Sequence, residues 1–382
     1  MRVDDLPLES QQTRQNRFRA APTSRELLLL LAISFVVMWG TIFLLHGSAV
    51  SALQWGDNIA YREVATAIRQ WDFRDVEVQH FMGYPYAIAA VSLLLHVPTG
   101  FALWLIAVVC SVVTVWLTAR MFGTLTAGYF AFTNIVWLEL AYLGGSEPLA
   151  MSLTLGSLLA FRRNRPLLAA LLGSLAVTVR PLMIFGLVGI GLALLLRKRF
   201  REFWAATAVG IAVGILYAAP LARYFGDPLL TLHTYTTRDY GGAKTTGPHG
   251  HLFGWPFHGI VAGTIAYPAP WTSLLLSFLW IALVLLGVTM MFRSRFRSFA
   301  KEYPQEAIYC GLYLFAIFSY DYLIWARSNF IRFCIPVLPW VFFALLPVMP
   351  KSRWIFWGLC IVSAVAAAIS TIGLRNVLAG VH

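Results

Sequence analysis

The chain of 382 residues is 59% hydrophobic, 15% aromatic and only 12% charged, where a soluble domain carries about 25% charged residues. With a mean hydropathy of +0.71 it holds more apolar surface than a soluble core can hide, so it reads as a polytopic membrane protein. That excludes a soluble dinucleotide-binding enzyme, a secreted disulfide scaffold and a nucleic-acid module, and the net charge of +12 reads as cytoplasmic Lys and Arg.

Residues 1–24 are polar, with Arg2, Arg14, Arg17 and Arg19, and read as a cytoplasmic tail. Leu27–Leu45 is an uncharged run long enough to span about 30 Å of hydrocarbon, too long for a signal peptide, and is the first predicted span. In the connection that follows, Ala60, Val64, Ala67, Ile68 and Trp71 recur at helical spacing opposite Arg62, Glu63, Thr66, Arg69 and Gln70. This pattern predicts a short amphipathic helix in the membrane interface. Tyr84–Val97 is apolar but only about 21 Å long as a helix, so it is expected to lie beside the membrane without crossing.

Ten more apolar runs follow: Phe101–Ala119, Leu125–Leu143, Pro148–Phe161, Pro166–Val179, Leu182–Leu196, Phe203–Ala222, Trp271–Phe292, Ala307–Tyr320, Phe333–Met349 and Trp354–Leu374. The expected fold class is therefore an all-α, polytopic helix bundle of about eleven transmembrane helices in residues 25–375, with juxtamembrane helices in the first outer loop. Residues 376–382 form a C-terminal tail. With the N-terminus inside, roughly two-thirds of the 29 Lys and Arg residues fall on the cytoplasmic side and more than half of the 17 acids on the other. That balance holds only if Tyr84–Val97 does not cross. The outer face then carries two long loops, 48–99 and 223–270, and neither is large enough for a core of its own. Cys110, Cys310, Cys334 and Cys360 lie in apolar runs without ligand spacing, so neither disulfide nor metal is expected from them.

Function must come from the few polar residues left. Asp57 opens the amphipathic helix, where an N-cap and a catalytic carboxylate are compatible roles. Glu147 follows Gly144-Gly145-Ser146 at the outer start of a short run; Ser146 reads as its N-cap, and an acid at membrane depth is a functional candidate. Arg180 stands between two short runs with Pro181 behind it, suited either to snorkelling or to gripping a phosphate with its planar fork. Arg327 and Arg332 flank the last outer loop and add two cations to the same face, as phosphate ligands or as interfacial anchors. The loop 223–270 holds His233, His249, His251 and His258 around a flexible centre, and reads as a mobile lid more than as a metal site. Asp75 and Glu77 form a lone D-x-E, so no cofactor is expected, with a divalent ion as the alternative.

The order and sidedness of these motifs resemble the GT-C superfamily of membrane glycosyltransferases over roughly residues 25–350. The carrying residues are Gly56-Asp57-Asn58-Ile59-Ala60-Tyr61, Gly83-Tyr84-Pro85-Tyr86, Ser146-Glu147-Pro148, Arg180-Pro181, and Arg332-Phe333 with Pro336 and Pro339. The resemblance implies a sugar carried on a polyprenyl phosphate, transferred to a glycan, lipid or protein acceptor on the outer face of a membrane, with no nucleic acid involved. A bacterial inner membrane is the expected site. It implies catalytic acids at Asp57 and Glu147, and donor or acceptor contacts at Tyr61, Tyr84 and His249. The chemistry suits these residues: a carboxylate takes the acceptor proton, and Arg180 with Arg332 or Arg327 stabilises the departing lipid phosphate. A single displacement would invert the anomeric centre. The main rival is a lipid or small-solute transporter or flippase with an outer-leaflet phosphate site. A glycan ligase or polymerase acting on a lipid diphosphate is a second rival, and a non-catalytic scaffold a third. No internal repeat of the kind common in transporters is visible.

Overall fold

A computed structural model describes residues 22–46, 57–73, 76–78, 80–237, 239–240, 243–244, 252–267, 269–350 and 352–379. Within them the chain is helical, apart from a two-residue antiparallel ribbon of β1, Asp239–Tyr240, against β2, Ala243–Lys244. Helix α1, Ser24–His46, is followed by α2, Asp57–Gln70, and α3, Gly83–Leu95. The amphipathic pattern holds in part: α2 buries Asn58, Tyr61, Val64, Ala65 and Ala67 and packs on α3, while Trp71 of the expected apolar face lies past the helix end and is exposed. Helix α3 closes at His96, whose left-handed backbone donates its N–H to Ser92 O. It is 13 residues long, as short as its sequence suggests.

Among the described residues four helices are long and apolar enough to cross a membrane: Ser24–Leu44 within α1, α4 (Thr99–Phe122), α10 (Phe200–Phe225) and α13 (Trp271–Met291). Between them lie α5 (Thr124–Thr133), α6 (Ile135–Leu143), α7 (Glu147–Arg162), α8 (Pro166–Val179), α9 (Ile184–Leu196), α11 (Leu230–Thr237) and α12 (His258–Ala266). The chain ends with α14 (Ser294–Glu302), α15 (Pro304–Phe318), α16 (Leu323–Ser328), α17 (Phe330–Phe333), α18 (Leu338–Leu345) and α19 (Arg353–Ala379).

Two runs expected as single helices are broken, and each break has a local cause. Leu125–Leu143 divides at Asn134, which takes an extended backbone and accepts the Trp137 N–H on its side-chain oxygen at 2.9 Å, capping α6. The same side chain donates to Ile331 O at 3.1 Å, one residue before Arg332. Phe333–Met349 divides into α17, a 3₁₀ turn at Ile335–Val337 and α18, because Pro336 and Pro339 lack the donors a continuous helix needs. Tyr309 donates its hydroxyl to Pro336 O at 3.1 Å. The connection 223–270, expected as a long loop with a flexible centre, carries α11, α12 and the ribbon.

One end of the bundle is tied by an ion pair. Arg162 meets Glu306 in a fork, with Nε to Oε1 at 2.5 Å and Nη2 to Oε2 at 2.7 Å, and Trp340 Nε1 donates to Oε2 at 3.1 Å. Its guanidinium lies 3.9 Å from the Tyr303 ring centre. Glu306 is fully buried, so this pair joins α7, α15 and α18 without solvent screening.

Candidate functional site

Four charged residues from four separate segments meet at one place. Arg180 and Arg332 both donate to Oε1 of Glu147, and Arg332 Nη2 also reaches Asp57 Oδ2 at 2.8 Å. His80 Nε2 stands 3.7 Å from Asp57 Oδ1.

Local backbone chemistry sets each member. Gly144 has φ +111, open to glycine without steric cost, and a Cβ there would also run into Leu103 and Asn58. This tight turn after α6 lets Glu147 start α7 inside the protein, with Pro148 in the first turn, where its missing N–H costs nothing. Arg180 is extended at φ −143, ψ 120 because Pro181 disfavours a helical residue before it. That ends α8 and turns the guanidinium onto Glu147. Arg332 lies on the short α17, held through the Asn134–Ile331 hydrogen bond. Asp57 starts α2, where the helix dipole favours a carboxylate, and Asn58 beside it donates to Leu143 O at 3.2 Å.

The members differ in access. The Glu147 side chain is 1% exposed and Asp57 34%, with Arg180 at 20% and Arg332 at 21%. Glu147 Oε2 is buried and has no hydrogen-bond partner among the described residues. Asp57 is thus the carboxylate a ligand can touch, and Glu147 the one that holds the cations. Burial pushes the Asp57 carboxyl up, and the Arg332, His80 and Arg180 charges beside it more than offset that, so it titrates below its ordinary value of 3.8. Two guanidiniums face two carboxylates, so these four charges sum to zero.

The expected residues fall into three groups. Asp57, Glu147, Arg180 and Arg332 come together, and Tyr61 joins them by donating to Ser146 Oγ at 3.2 Å. Tyr84 is fully buried and edge-on to Tyr61 at 5.0 Å, with its hydroxyl donating to Leu103 O, so it backs the site and does not face a ligand. Arg327 is buried and pairs with neither carboxylate; its Nη2 donates to Tyr267 O at 3.5 Å, and its Nε and Nη1 have no partner among the described residues. His249 and Asp75 lie outside the described residues.

Ser146 is not the cap its position suggests. Its backbone is helical and its side chain makes no cap bond, because the hydroxyl accepts from Tyr61 and from Arg180 Nη1 at 3.2 Å. Sequence reasoning missed His80, whose ring lies tilted against Tyr61 with centres 4.9 Å apart, in a stretch without periodicity. It also missed Asn134; a lone Asn inside an apolar run was the available signal.

Beside His80, Phe81 lines an apolar cavity of about 620 Å³ between α8, α9 and α10, walled by Leu187, Val188, Ile211 and Tyr217. Tyr217 accepts the Met82 N–H at 3.2 Å, which ties that wall to the segment carrying His80. Among the described residues no three His, Cys, Asp or Glu side chains group as metal ligands. No protein-family model, curated protein or solved structure matches the chain.

Proposed function

We propose that the chain is an integral membrane glycosyltransferase, moving a hexosyl or pentosyl unit from a polyprenyl-phosphate donor to an acceptor on the extracytoplasmic face. The observation that carries this reading is the pairing of two part-exposed guanidiniums with one accessible carboxylate, Asp57, in a single cluster. Arg180 and Arg332 suit the oxygens of a phosphate, since each offers a planar fork that stays charged. The apolar cavity next to His80 suits a lipid tail entering from the bilayer. In this reading eleven segments cross, some as helix pairs broken at Asn134 or Pro336, with the N-terminus inside a bacterial inner membrane.

The reaction is a single displacement. Asp57 takes the proton from the acceptor hydroxyl as its oxygen bonds to the anomeric carbon. The bond from that carbon to the phosphate oxygen breaks, and its electron pair leaves on the lipid phosphate. Arg180 and Arg332 stabilise that growing charge, and Glu147 holds both in place. A flippase would use the same cations but has no need of the carboxylate beside them.

The test is mass spectrometry of lipid-linked sugars in cells that lack the protein, complemented with wild type or Asp57→Asn. Asn starts a helix as well as Asp but takes no proton. The donor lipid should accumulate in the deletion and with Asp57→Asn, and transfer should fall by about 10²–10⁴-fold. Normal turnover by Asp57→Asn would favour the transporter.

A further inference from the structure

Residues 252–257, just before α12, are strapped to the end of α15. Phe253 bridges Tyr320, Gly254 N–H donates to Ser319 O at 2.8 Å, Phe257 N–H to Phe318 O at 2.6 Å, and Asp321 N–H to Leu252 O at 2.9 Å. Gly254 is required, because a Cβ there would come within 2.6 Å of Asp321 Oδ2. Phe257 adopts φ +69, a conformation that costs a bulky residue free energy and persists only where its surroundings enforce it.

The strap sets His258 on Asp321, Nδ1 to Oδ1 at 2.7 Å. Asp321 is 7% exposed and His258 44%. A carboxylate only accepts, so the Nδ1 hydrogen lies on that bond and Nε2 is left for another polar partner. On the same strap Trp255 is 85% exposed and Phe253 46%. The strap adjoins the charged cluster: Tyr320 packs on Phe333, next to Arg332, with ring centres 5.1 Å apart.

An interfacial anchor would account for an exposed Trp, but not for a buried carboxylate that fixes an imidazole beside it. An anionic ligand would meet Asp321, and a purely apolar one would strand the imidazole. A sugar fits both halves, since its C–H face covers an aromatic ring while a hydroxyl, which can donate or accept, hydrogen-bonds Nε2. We propose that Trp255, Phe253 and the Asp321-held His258 form a carbohydrate-binding subsite. Calling the bound sugar the acceptor rests on the glycosyl-transfer reading; the sugar site itself does not.

The test uses the full chain in lipid nanodiscs, with no donor, against a panel of methyl glycosides and free oligosaccharides, followed by saturation-transfer NMR. Wild type should bind at least one member. Trp255→Ala should weaken that binding about ten-fold, the size of a lost stacking contact. His258→Ala should weaken it as well, and Trp255→Ala, which leaves the His258–Asp321 bond in place, covers the case in which His258→Ala loosens the strap. No binding across the panel would overturn the subsite. So would Trp255→Ala binding like wild type, or changing only how the protein seats in the bilayer. Because no donor is present, failure of the transfer reading leaves this result intact.

Discussion

Arg180 and Arg332 donate to the same carboxylate oxygen of Glu147, although they lie far apart in the sequence. Two guanidiniums repel each other unless an anion sits between them, so Glu147 is what lets the two stand side by side. The second Arg332 contact, to Asp57, links the buried acid to the accessible one.

Glu147→Gln should therefore cost more stability than its size suggests. Removing one partner of a buried charge pair destabilises by about 3–5 kcal/mol, whereas Asp57→Asn, a third exposed, should cost about 1 kcal/mol or less. Thermal unfolding in nanodiscs compares the two directly. Equal shifts would show that Glu147 does not hold the cluster.

At the far end of the bundle, Arg162→Ala leaves Glu306 buried and unpaired and should destabilise by a similar 3–5 kcal/mol. Arg162→Lys should recover only part, since an ammonium cannot make both fork bonds or lie flat on Tyr303. If Glu306→Gln in the Arg162→Ala background restores none of the loss, the charge argument fails.

Acid should probe Asp57. Its folded pKa is depressed, so it contributes stability above its unfolded value, and that contribution is lost as pH falls through the lower folded value. Arg332→Gln removes the largest lowering influence, so the acid limb set by Asp57 should move up in pH, in unfolding and in transfer alike. Unchanged profiles in Arg332→Gln would separate the two residues.

Much of this arrangement was legible in the sequence because the residues involved are costly in an apolar chain. Asp57, Glu147, Arg180 and Arg332 stand out against hydrophobic runs, and the proline after Arg180 announces its extended backbone. The breaks were harder to see. Asn134 looks like one polar residue in a span, and only its two long-range bonds reveal that it ends a helix and holds Ile331. Ser146 misled for the opposite reason: its position is right for a cap, but tertiary partners claim its hydroxyl. Arg327 shares the sequence neighbourhood of Arg332, yet the turn between α16 and α17 sends it toward Tyr267. Sidedness alone does not group charges that closely.

The phosphate grip is tested most sharply at Arg180. Lysine keeps the charge but loses the planar fork, of which Nη1 alone donates to Ser146 and Glu147 in the present geometry. Arg180→Lys should retain most of the fold, because a cation still faces Glu147, while affinity for a short-chain prenyl phosphate falls by roughly ten-fold or more, the value of one good charge-assisted hydrogen bond. Arg180→Ala should lose further affinity and also stability. Calorimetric titration of prenyl phosphate into the nanodisc-embedded protein measures the first effect and thermal unfolding the second. Prenyl-phosphate affinity equal to wild type in both variants, with stability lost only in Arg180→Ala, would make Arg180 a structural counter-ion of Glu147 and remove it from the ligand site.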